Sequence, residues 1–340
     1  MKTVQICAGA VISLLALFLA FRGVDLAGAA RAASHANFVW LLFSAVLVGL
    51  SILLRAIRWQ ALFPRPQRLH IGSLFGVLNV GYLVNNVLPR AGELVRAILL
   101  GQVEPVSRVE AFSTIVVERV VDTLAVIILL FAAMPLVQFA GGADWPSWLL
   151  PGVRVIAVSM LVLLVALLLA AMNRGTTLRV VQQATRLLPE RLRASVLAKA
   201  ASALTGLAVL TDPRAAAEVI GLTGLIYLAG VAAMEAQVVA FHMRLPPAGP
   251  FFLLAAATLG LVVPAPGGIG VWEVIVKTSL TSVFAIEGSE AASLAVVSHV
   301  VFFAPPMLFA ALYLWRLGAS WDTLMGLTRR GAGPEPVPEP

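Results

Sequence analysis

Two apolar stretches, each interrupted near its middle, decide the fold of this chain. The first, from about residue 73 to 101, contains LFGVLNVGYLVNNVLPRAGELVRAILLG (74–101). The second, from about 250 to 285, contains LGLVVPAPGGIGVWEVIV (259–276). Pro89 leaves about 16 usable residues before it and about 12 after it, so at 1.5 Å per residue neither helix crosses a bilayer comfortably. Each stretch therefore predicts two short helices joined by a Pro/Gly break.

The composition of the chain is that of a membrane protein. Of its 340 residues 60% are hydrophobic and 12% are charged, and the mean hydropathy is +0.95. A soluble domain carries about twice that share of charge, because polar groups must cover its surface. These values exclude a soluble enzyme, a disordered regulator and a secreted disulfide scaffold. The single cysteine, Cys7, leaves no disulfide framework or cysteine-based zinc cluster.

Six unbroken apolar segments are long enough to cross a bilayer. Lys2 precedes the first segment, as in a signal peptide, but the apolar run is longer than a signal sequence needs, which favours a retained span. We therefore predict an all-α polytopic membrane protein with six full transmembrane helices and two broken hairpins. The six segments lie at about 4–21, 38–57, 112–140, 152–172, 215–241 and 291–315.

The basic residues set the predicted orientation, because cytoplasmic loops accumulate Lys and Arg. The two most basic connections, 55–72 and 173–214, share a side if the first broken stretch enters and leaves the membrane on the same side. With both stretches as re-entrant hairpins and both termini in the cytoplasm, 16 of the 24 Lys and Arg lie inside and four lie outside. Two full crossings of the membrane by each broken stretch would leave the other loops on the same sides, so the charge count does not exclude this alternative.

The two breaks also resemble each other. Both contain Pro-x-x-Gly, at 89–92 and 264–267, and the predicted hairpins insert from opposite sides, which is typical of an inverted-repeat transporter. We predict a single transmembrane domain over residues 1–320. Its first half is 1–140 and its second half about 150–320, with a cytoplasmic amphipathic connection at 173–214; a disordered Pro-rich cytoplasmic tail follows at 321–340.

Charged side chains lie at depth in the predicted membrane segments, where each costs at least about 2.5–3.5 kcal/mol on insertion scales. Such groups normally face a protein interior or a wet cavity. One interpretation is a neutral salt-bridge network that clamps the first hairpin to the next span. The other is that guanidinium groups also hold an anionic head group near the N-terminus of a half-helix. The set comprises Arg90, Glu93, Arg96, Glu118, Arg119 and Asp122.

Polar, glycine and aromatic residues flank both breaks and either complete the turns or contact a ligand. Glycine permits close approach of the backbone and exposes N–H groups. Glu273 and Lys277, at i,i+4, form a self-contained pair or a counterpart of the charges in the first hairpin. No phosphate-binding loop, HExxH or paired His and Cys occurs, so we expect no enzyme activity, metal or cofactor. The candidate ligand-contacting residues at the breaks are Asn86, Gly92, Gly267, Gly268, Gly270 and Trp272.

Three motifs in this order resemble the flippase-like transmembrane region of lysylphosphatidylglycerol synthase, the multiple peptide resistance factor. They are NVLPRAGELVR (86–96), VERVVD (117–122) and VPAPGGIGVWE (263–273). The resemblance extends to about residue 320 and implies a bacterial or archaeal inner-membrane protein that moves lipids between leaflets. Full-length synthases carry a soluble C-terminal aminoacyl-transferase domain where this sequence has a Pro-rich tail. The resemblance therefore supports translocation and gives no support for lipid aminoacylation.

The leading hypothesis is a translocase for an anionic or phosphate-containing lipid. Its alternatives are a secondary transporter of a soluble anion and a non-transporting accessory subunit of a lipid-modifying system. Nucleic acid is not an expected partner, because the basic residues lie between long apolar runs. A second copy of the chain and a lipid-synthesis enzyme stay open as protein partners. In the leading hypothesis Arg90, Arg96 and Arg119 contact phosphate, while Glu93, Glu118 and Asp122 hold these arginines or take up protons.

Overall fold

The computed structural model describes Phe18 and residues 25–63, 69–139, 149–186, 189–207 and 211–316. Within these ranges the chain is helical and has no strand, which confirms the all-α prediction. The predicted span at 4–21, apart from Phe18, and the predicted tail lie outside the described residues. The described helices are α1 (Leu26–His35), α2 (Phe38–Ala61), α3 (Ile71–Val87), α4 (Gly92–Val103), α5 (Arg108–Phe139), α6 (Leu149–Met172), α7 (Arg174–Ala184), α8 (Glu190–Gly206), α9 (Pro213–Ala240), α10 (Gly249–Gly260), α11 (Val271–Phe284) and α12 (Gly288–Arg316).

Four helices in the described part of the chain are long and apolar enough to cross a membrane. They are α2, α5, α9 and α12. A fifth candidate is α6, which is long and apolar enough when taken together with α7; the two helices meet at 99°, so α7 turns away from the direction of α6. These helices coincide with the five predicted spans that fall within the described residues. The multi-pass membrane architecture is therefore confirmed, and the count of six spans stays a prediction.

Helices α2 and α9 pack side by side and run antiparallel. The Asn37 N–H donates to the Ala240 carbonyl at 2.8 Å, so α2 begins where α9 ends. Further along α2, the Ser44 hydroxyl donates to the Ala233 carbonyl at 2.7 Å. Both helices start at a side-chain cap: the Asn37 and Asp212 side chains each accept a backbone N–H two residues on. These caps and buried bonds fix the register of the pair.

Helix α2 continues four residues beyond the end predicted for its span. The sequence placed Arg55 and Arg58 in a cytoplasmic connection, but both lie on the last turns of α2, and the Arg58 side chain is 0% exposed. That prediction is wrong because the apolar run ends before the helix does. Without these two arginines the predicted cytoplasmic side still holds most of the basic residues.

The first broken stretch is a helical hairpin. Helices α3 and α4 flank the break at 88–91, and α4 folds back along α3. The turn requires glycine on both sides: a Cβ on Gly92 would overlap the Gly81 carbonyl oxygen, and one on Gly81 would overlap the Arg96 side chain. The predicted pair of short helices is confirmed, whereas their insertion from one side of a membrane stays a prediction.

The second broken stretch has the same form. Helix α10 ends at Gly260, a short 3₁₀ turn covers Pro266–Gly268, and α11 begins at Val271. A Cβ on Gly260 would overlap the Ile275 side chain, so α11 folds back along α10. The chain therefore contains two helix–break–helix hairpins of similar size, as the matching Pro-x-x-Gly breaks predicted.

The tips of the two hairpins meet. The Arg90 guanidinium, in the first break, donates to the Val262 carbonyl of the second at 2.7 Å. A Cβ on Gly267 would lie 3.5 Å from the Asn86 side-chain oxygen, so these two residues are also neighbours. Contact between the breaks brings residues 172 positions apart in sequence to one place.

Replacing Gly92 by alanine tests the close approach within the first hairpin. We expect Gly92→Ala to lower the free energy of unfolding by about 1–3 kcal/mol, because the new methyl group meets backbone that cannot move aside. The measurement is denaturant unfolding of the purified protein in detergent. Gly72→Ala is the control: its Cβ would meet no atom within 4 Å. Equal stability of the two variants would contradict the packing described.

Candidate functional site

A cluster of buried charges lies where α2, α4 and α5 meet. Its first centre is the Glu118 carboxylate on α5, which is 1% exposed. Arg96 of α4 donates to both carboxylate oxygens, at 3.0 and 2.8 Å. Arg119 also donates to Glu118, and the Arg58 Nη2 atom lies 4.0 Å from it. Three guanidinium groups therefore surround one carboxylate.

The second centre of this charge cluster is the Asp122 carboxylate, one turn further along α5. The Arg58 Nη1 atom donates to it at 2.6 Å, and the Arg55 Nη1 atom at 3.1 Å. Arg119 completes the contacts at 3.3 Å. Two elements of local sequence build this arrangement, because Glu118 and Asp122 lie at i,i+4 on α5 and Arg55 and Arg58 at i,i+3 on α2.

Neutral side chains support the cluster. The Thr223 hydroxyl of α9 accepts a hydrogen bond from Arg58 at 3.0 Å, and the Tyr227 hydroxyl donates to the Asp122 carbonyl at 3.2 Å. The Arg96 guanidinium carbon lies 4.1 Å from the centroid of the Trp59 ring, a distance at which a cation is attracted to the ring face. The cluster thus also links α9 to the other three helices.

The cluster carries an excess of positive charge. Among the described residues, four arginines contact two carboxylates, a formal balance of +2 for the groups in contact; Glu93 of α4 acts on Arg119 from a longer distance and lowers the local balance to +1. In the same part of the chain several buried guanidinium N–H groups have no hydrogen-bond acceptor, although unmet buried donors cost about 1–3 kcal/mol each. The Arg119 side chain is 42% exposed and is the most exposed of the four arginines, followed by Arg55 at 19%. The unmet atoms are Arg58 Nε and Nη2, Arg96 Nε and Arg119 Nε.

The first break begins close to this cluster. The Asn85 side chain accepts the Gly92 N–H at 2.7 Å, which satisfies a free donor at the start of α4. Asn85 also donates to Glu93 at 3.4 Å, while the buried Oε2 atom of Glu93 has no partner among the described residues. Asn86 donates to the Met307 sulfur at 2.8 Å, a weak acceptor.

Arg90 occupies an unusual position in the first break. Its backbone φ of 65° is in the left-handed region, which costs a non-glycine residue about 1–2 kcal/mol. The exposed side chain reaches the Val262 carbonyl of the other hairpin and makes no contact with the charge cluster among the described bonds. Arg90 therefore joins the two breaks.

The second break is closed by glycines and a buried carboxylate. Gly267, Gly268 and Gly270 all have positive φ, at 61°, 68° and 84°, which explains why the sequence needs glycine there. The Glu273 carboxylate accepts the Gly270 N–H at 2.7 Å and caps α11. Its other oxygen lies 2.7 Å from the His299 Nδ1 atom of α12.

Trp272 lies in the interior beside this pair. Its ring is 2% exposed, and the indole N–H donates to the Ser298 hydroxyl at 2.8 Å. The ring also packs against Phe302 and Phe303, with centroids 5.3 and 5.7 Å away. Trp272 therefore fills the core behind the second break, and contact of this residue with a ligand stays a prediction.

The structure brings together only part of the predicted charge set. Arg96, Glu118, Arg119 and Asp122 meet as expected, whereas Arg90 and Glu93 make their described bonds within and between the breaks. Glu93 nevertheless acts on Arg119 from a longer distance. Glu273 is bonded to His299 and to the start of α11. Lys277, one turn further along α11, also makes a polar or electrostatic interaction. Among the described residues, no group of three or more His, Cys, Asp or Glu side chains could hold a metal ion.

Sequence reasoning missed Arg55 and Arg58. Both arginines follow a long apolar run. An assignment of membrane spans by the length of their apolar runs therefore places them in the next loop. A signal for burial was present: Arg58 directly precedes Trp59, and the spacing of three residues puts both guanidinium groups on one helix face.

Comparison with known proteins agrees with this architecture. Residues 6–310 match the family model described as the lysylphosphatidylglycerol synthase TM region. A UPF0104 membrane protein from Methanothermobacter thermautotrophicus is 30% identical over 165 residues, which are 47% of this chain and 46% of the relative. The match thus spans about half the length of that relative. No solved structure matches the chain.

Removing the negative charge of Glu118 tests the balance of the cluster. We expect Glu118→Gln to destabilise the fold by about 3–5 kcal/mol, because Arg96 then lies buried without its counter-charge. Unfolding by a graded denaturing detergent measures the change. Glu235→Gln, at an exposed carboxylate of α9, is the matched control, with an expected change within about 0.5 kcal/mol. Similar stability of both variants would contradict the ion-pair network.

Two substitutions of Arg90 separate its backbone strain from its side-chain contact. Arg90→Ala and Arg90→Gly both remove the bond to the Val262 carbonyl, but only glycine relieves the positive φ. We expect the glycine variant to be more stable than the alanine variant by about 1 kcal/mol. Thermal unfolding of the two variants under identical conditions measures the difference. A more stable alanine variant would show that the left-handed backbone is not retained.

Proposed function

The chain belongs to the lysylphosphatidylglycerol synthase transmembrane-region family, and from that membership we propose that it moves an anionic or phosphate-containing lipid between membrane leaflets. The membrane would be the inner membrane of a bacterium or archaeon, with both termini in the cytoplasm. The protein would act as a transporter without enzyme activity. The observation that carries this proposal is the excess of buried positive charge around Glu118 and Asp122.

The unmet donors of the cluster support anion binding. A purely structural clamp needs as many carboxylates as arginines, whereas here Arg58, Arg96 and Arg119 retain N–H groups without acceptors among the described residues. A phosphate group offers several acceptor oxygens and matches the planar fork of arginine. Arg119, which is partly exposed, would meet the head group first, and Glu118 and Asp122 would hold the arginines in place.

A lipid fits this position because apolar surface lies beside the cluster. Phe112 on α5 is 39% exposed and lies seven residues before the partly exposed Arg119, two turns away on the same face of the helix. Acyl chains could stay against such surface in the bilayer while the head group enters the protein. Only the polar head group then needs shielding during transfer.

The two hairpins would provide the movement. We propose that they form an inverted repeat, inserted from opposite sides, with the lipid pathway near their tips. Arg96 lies on α4, four residues after the first residue of that helix, whereas its partner Glu118 lies on α5. A shift of the first hairpin would therefore change how Arg96 is shared between Glu118 and a bound phosphate. The contact from Arg90 to Val262 would join or release the tips during this cycle.

The same arginines would suit a soluble anion, so the experiment must distinguish the two substrates. The purified chain is reconstituted in vesicles that contain a fluorescent phosphatidylglycerol, a fluorescent phosphatidylcholine or a labelled polyprenyl phosphate, and leaflet exchange is measured by reduction of the outer-leaflet dye. Uptake of inorganic phosphate into the same vesicles is measured in parallel. The proposal expects exchange of an anionic lipid without phosphate uptake. Uptake without exchange would overturn it.

Arg119→Gln tests the role of the accessible arginine. We expect lipid exchange to slow by about tenfold or more, since a hydrogen bond to a charged group contributes about 1.5–3 kcal/mol. Stability should change little, because Arg96 and Arg58 still pair with Glu118 and Asp122. Dye reduction gives the exchange rate, and denaturant unfolding gives the stability.

Arg31→Gln is the control for this measurement. Arg31 is an exposed arginine of α1 that pairs with Asp25 at 3.3 Å, away from the cluster. Its loss should leave the exchange rate unchanged. If Arg119→Gln lowers stability but exchanges lipid as fast as the parent protein, the cluster is a structural clamp and the proposed role of Arg119 is wrong.

A further inference from the structure

Helices α7 and α8 carry a strongly basic surface that the proposed pathway does not use. We call residues 174–199 the basic platform. It contains six basic residues and one acidic residue, Glu190, a formal charge of +5. Five of the six basic residues are exposed and Arg193 is half-buried. The six are Arg174, Arg179, Arg186, Arg191, Arg193 and Lys199.

The orientation of the platform follows from its connection to α6. The part of α6 from Val158 to Met172 meets α7 at an angle of 99°. Transmembrane helices tilt by about 20° on average from the bilayer normal, so a helix at this angle runs close to the membrane plane. Only Asn173 separates the two helices, which places α7 where the span leaves the apolar layer.

Several contacts hold the platform against the rest of the protein. The Thr177 hydroxyl donates to the Ala170 carbonyl at 3.2 Å, across the bend. At the far end, Ser202 of α8 hydrogen-bonds Ser107, and Gly206 lies so close to Ser113 of α5 that a Cβ there would overlap the hydroxyl. The platform is therefore fixed to the beginning of α5, the helix that carries Glu118 and Asp122.

Exposed apolar side chains also lie among the basic residues of the platform. Helix α7 has no buried residue, and Val180 is 57% exposed beside Arg179. On α8, Leu192 is 56% exposed between Arg191 and Arg193. A helix with exposed apolar and basic side chains that lies in the membrane plane is typical of the interface between head groups and acyl chains.

We propose that the basic platform binds the head groups of anionic phospholipids in the adjacent leaflet. Charge complementarity favours a lipid of negative charge, and the bend at Asn173 places the platform against the leaflet from which α6 emerges. A soluble polyanion would have to compete with that leaflet for the same arginines. This surface goes beyond the proposed transport and stands without it. The platform would concentrate anionic lipid near the first turns of α5, the helix that carries Glu118 and Asp122.

A fluorescent probe on the platform tests this proposal. Because Cys7 is the sole cysteine of the chain, Cys7→Ser provides a cysteine-free parent in which Val180→Cys, or Leu192→Cys as a second position, carries an environment-sensitive dye. The full chain is reconstituted in vesicles of phosphatidylcholine alone or mixed with phosphatidylglycerol, each with a lipid-attached quencher. We expect stronger quenching in the anionic vesicles and a loss of this difference at high salt.

Charge-removal variants show whether these arginines cause the binding. In Arg179→Gln/Arg186→Gln/Arg191→Gln we expect association with the anionic leaflet to weaken about fivefold per charge removed. The matched control, Arg31→Gln/Arg244→Gln/Arg316→Gln, removes three exposed arginines elsewhere and should leave quenching unchanged. Surface substitutions of this kind seldom alter folding, and unfolding in detergent verifies that both triple variants are intact.

Three outcomes would overturn the proposal. The first is equal quenching in zwitterionic and anionic vesicles. The second is an equal loss of quenching in the platform variant and in the control variant. The third is displacement of the dye from anionic vesicles by a short single-stranded oligonucleotide, which would identify a soluble polyanion as the preferred occupant. Failure of lipid exchange in the transport assay affects none of these readouts, so the two proposals fail separately.

Discussion

The charges on α5 have to be neutralised inside an apolar structure, and much of the fold serves this requirement. Glu118 and Asp122 draw Arg55 and Arg58 from α2, Arg96 from α4 and Arg119 from their own helix. Removing one partner from a buried ion pair costs several kcal/mol, so none of these helices can separate freely. The antiparallel partner of α2, α9, joins through Thr223. The charge cluster therefore holds the first hairpin, α2, α5 and α9 together.

A second constraint concerns backbone groups at the two breaks. Where a helix is interrupted at membrane depth, its free N–H groups must find acceptors within the protein. The first hairpin uses the Asn85 side chain for the N–H of Gly92, and the second uses the Glu273 carboxylate for that of Gly270. The two hairpins thus solve the same problem with a neutral and an ionisable side chain. The surroundings of the two breaks differ as well. His299 lies beside Glu273 at the second break, whereas the charge cluster lies near the first hairpin.

The parts of this fold that depend on local sequence could be predicted, and those that depend on long-range pairing could not. Pro89 and Pro264 mark the breaks because proline ends a helix in any context. The meeting of Arg96 with Glu118 follows from two motifs close in sequence. By contrast, Arg58 reaches Asp122 across 64 residues, and although the neighbouring Trp59 and the spacing from Arg55 indicate a shared helix face, they do not identify the partner of Arg58. The contact between Arg90 and Val262 could not be predicted from the sequence either, because it forms only when both hairpins are folded.

The missed arginines also change the interpretation of the site. With Arg90 and Glu93 in the cluster, as the sequence predicted, three arginines and three carboxylates would balance and a clamp would be a sufficient explanation. With Arg55 and Arg58 in place of Arg90, four arginines surround Glu118 and Asp122 while Glu93 acts on Arg119 from a longer distance, so one positive charge is left over within the described residues. The ion pairs of Arg55 and Arg58 with Asp122 hold the helices together, but they leave more positive than negative charge in an apolar interior, where an unmatched charge is costly. The anionic ligand that we propose would match the positive charge that these carboxylates leave unmatched.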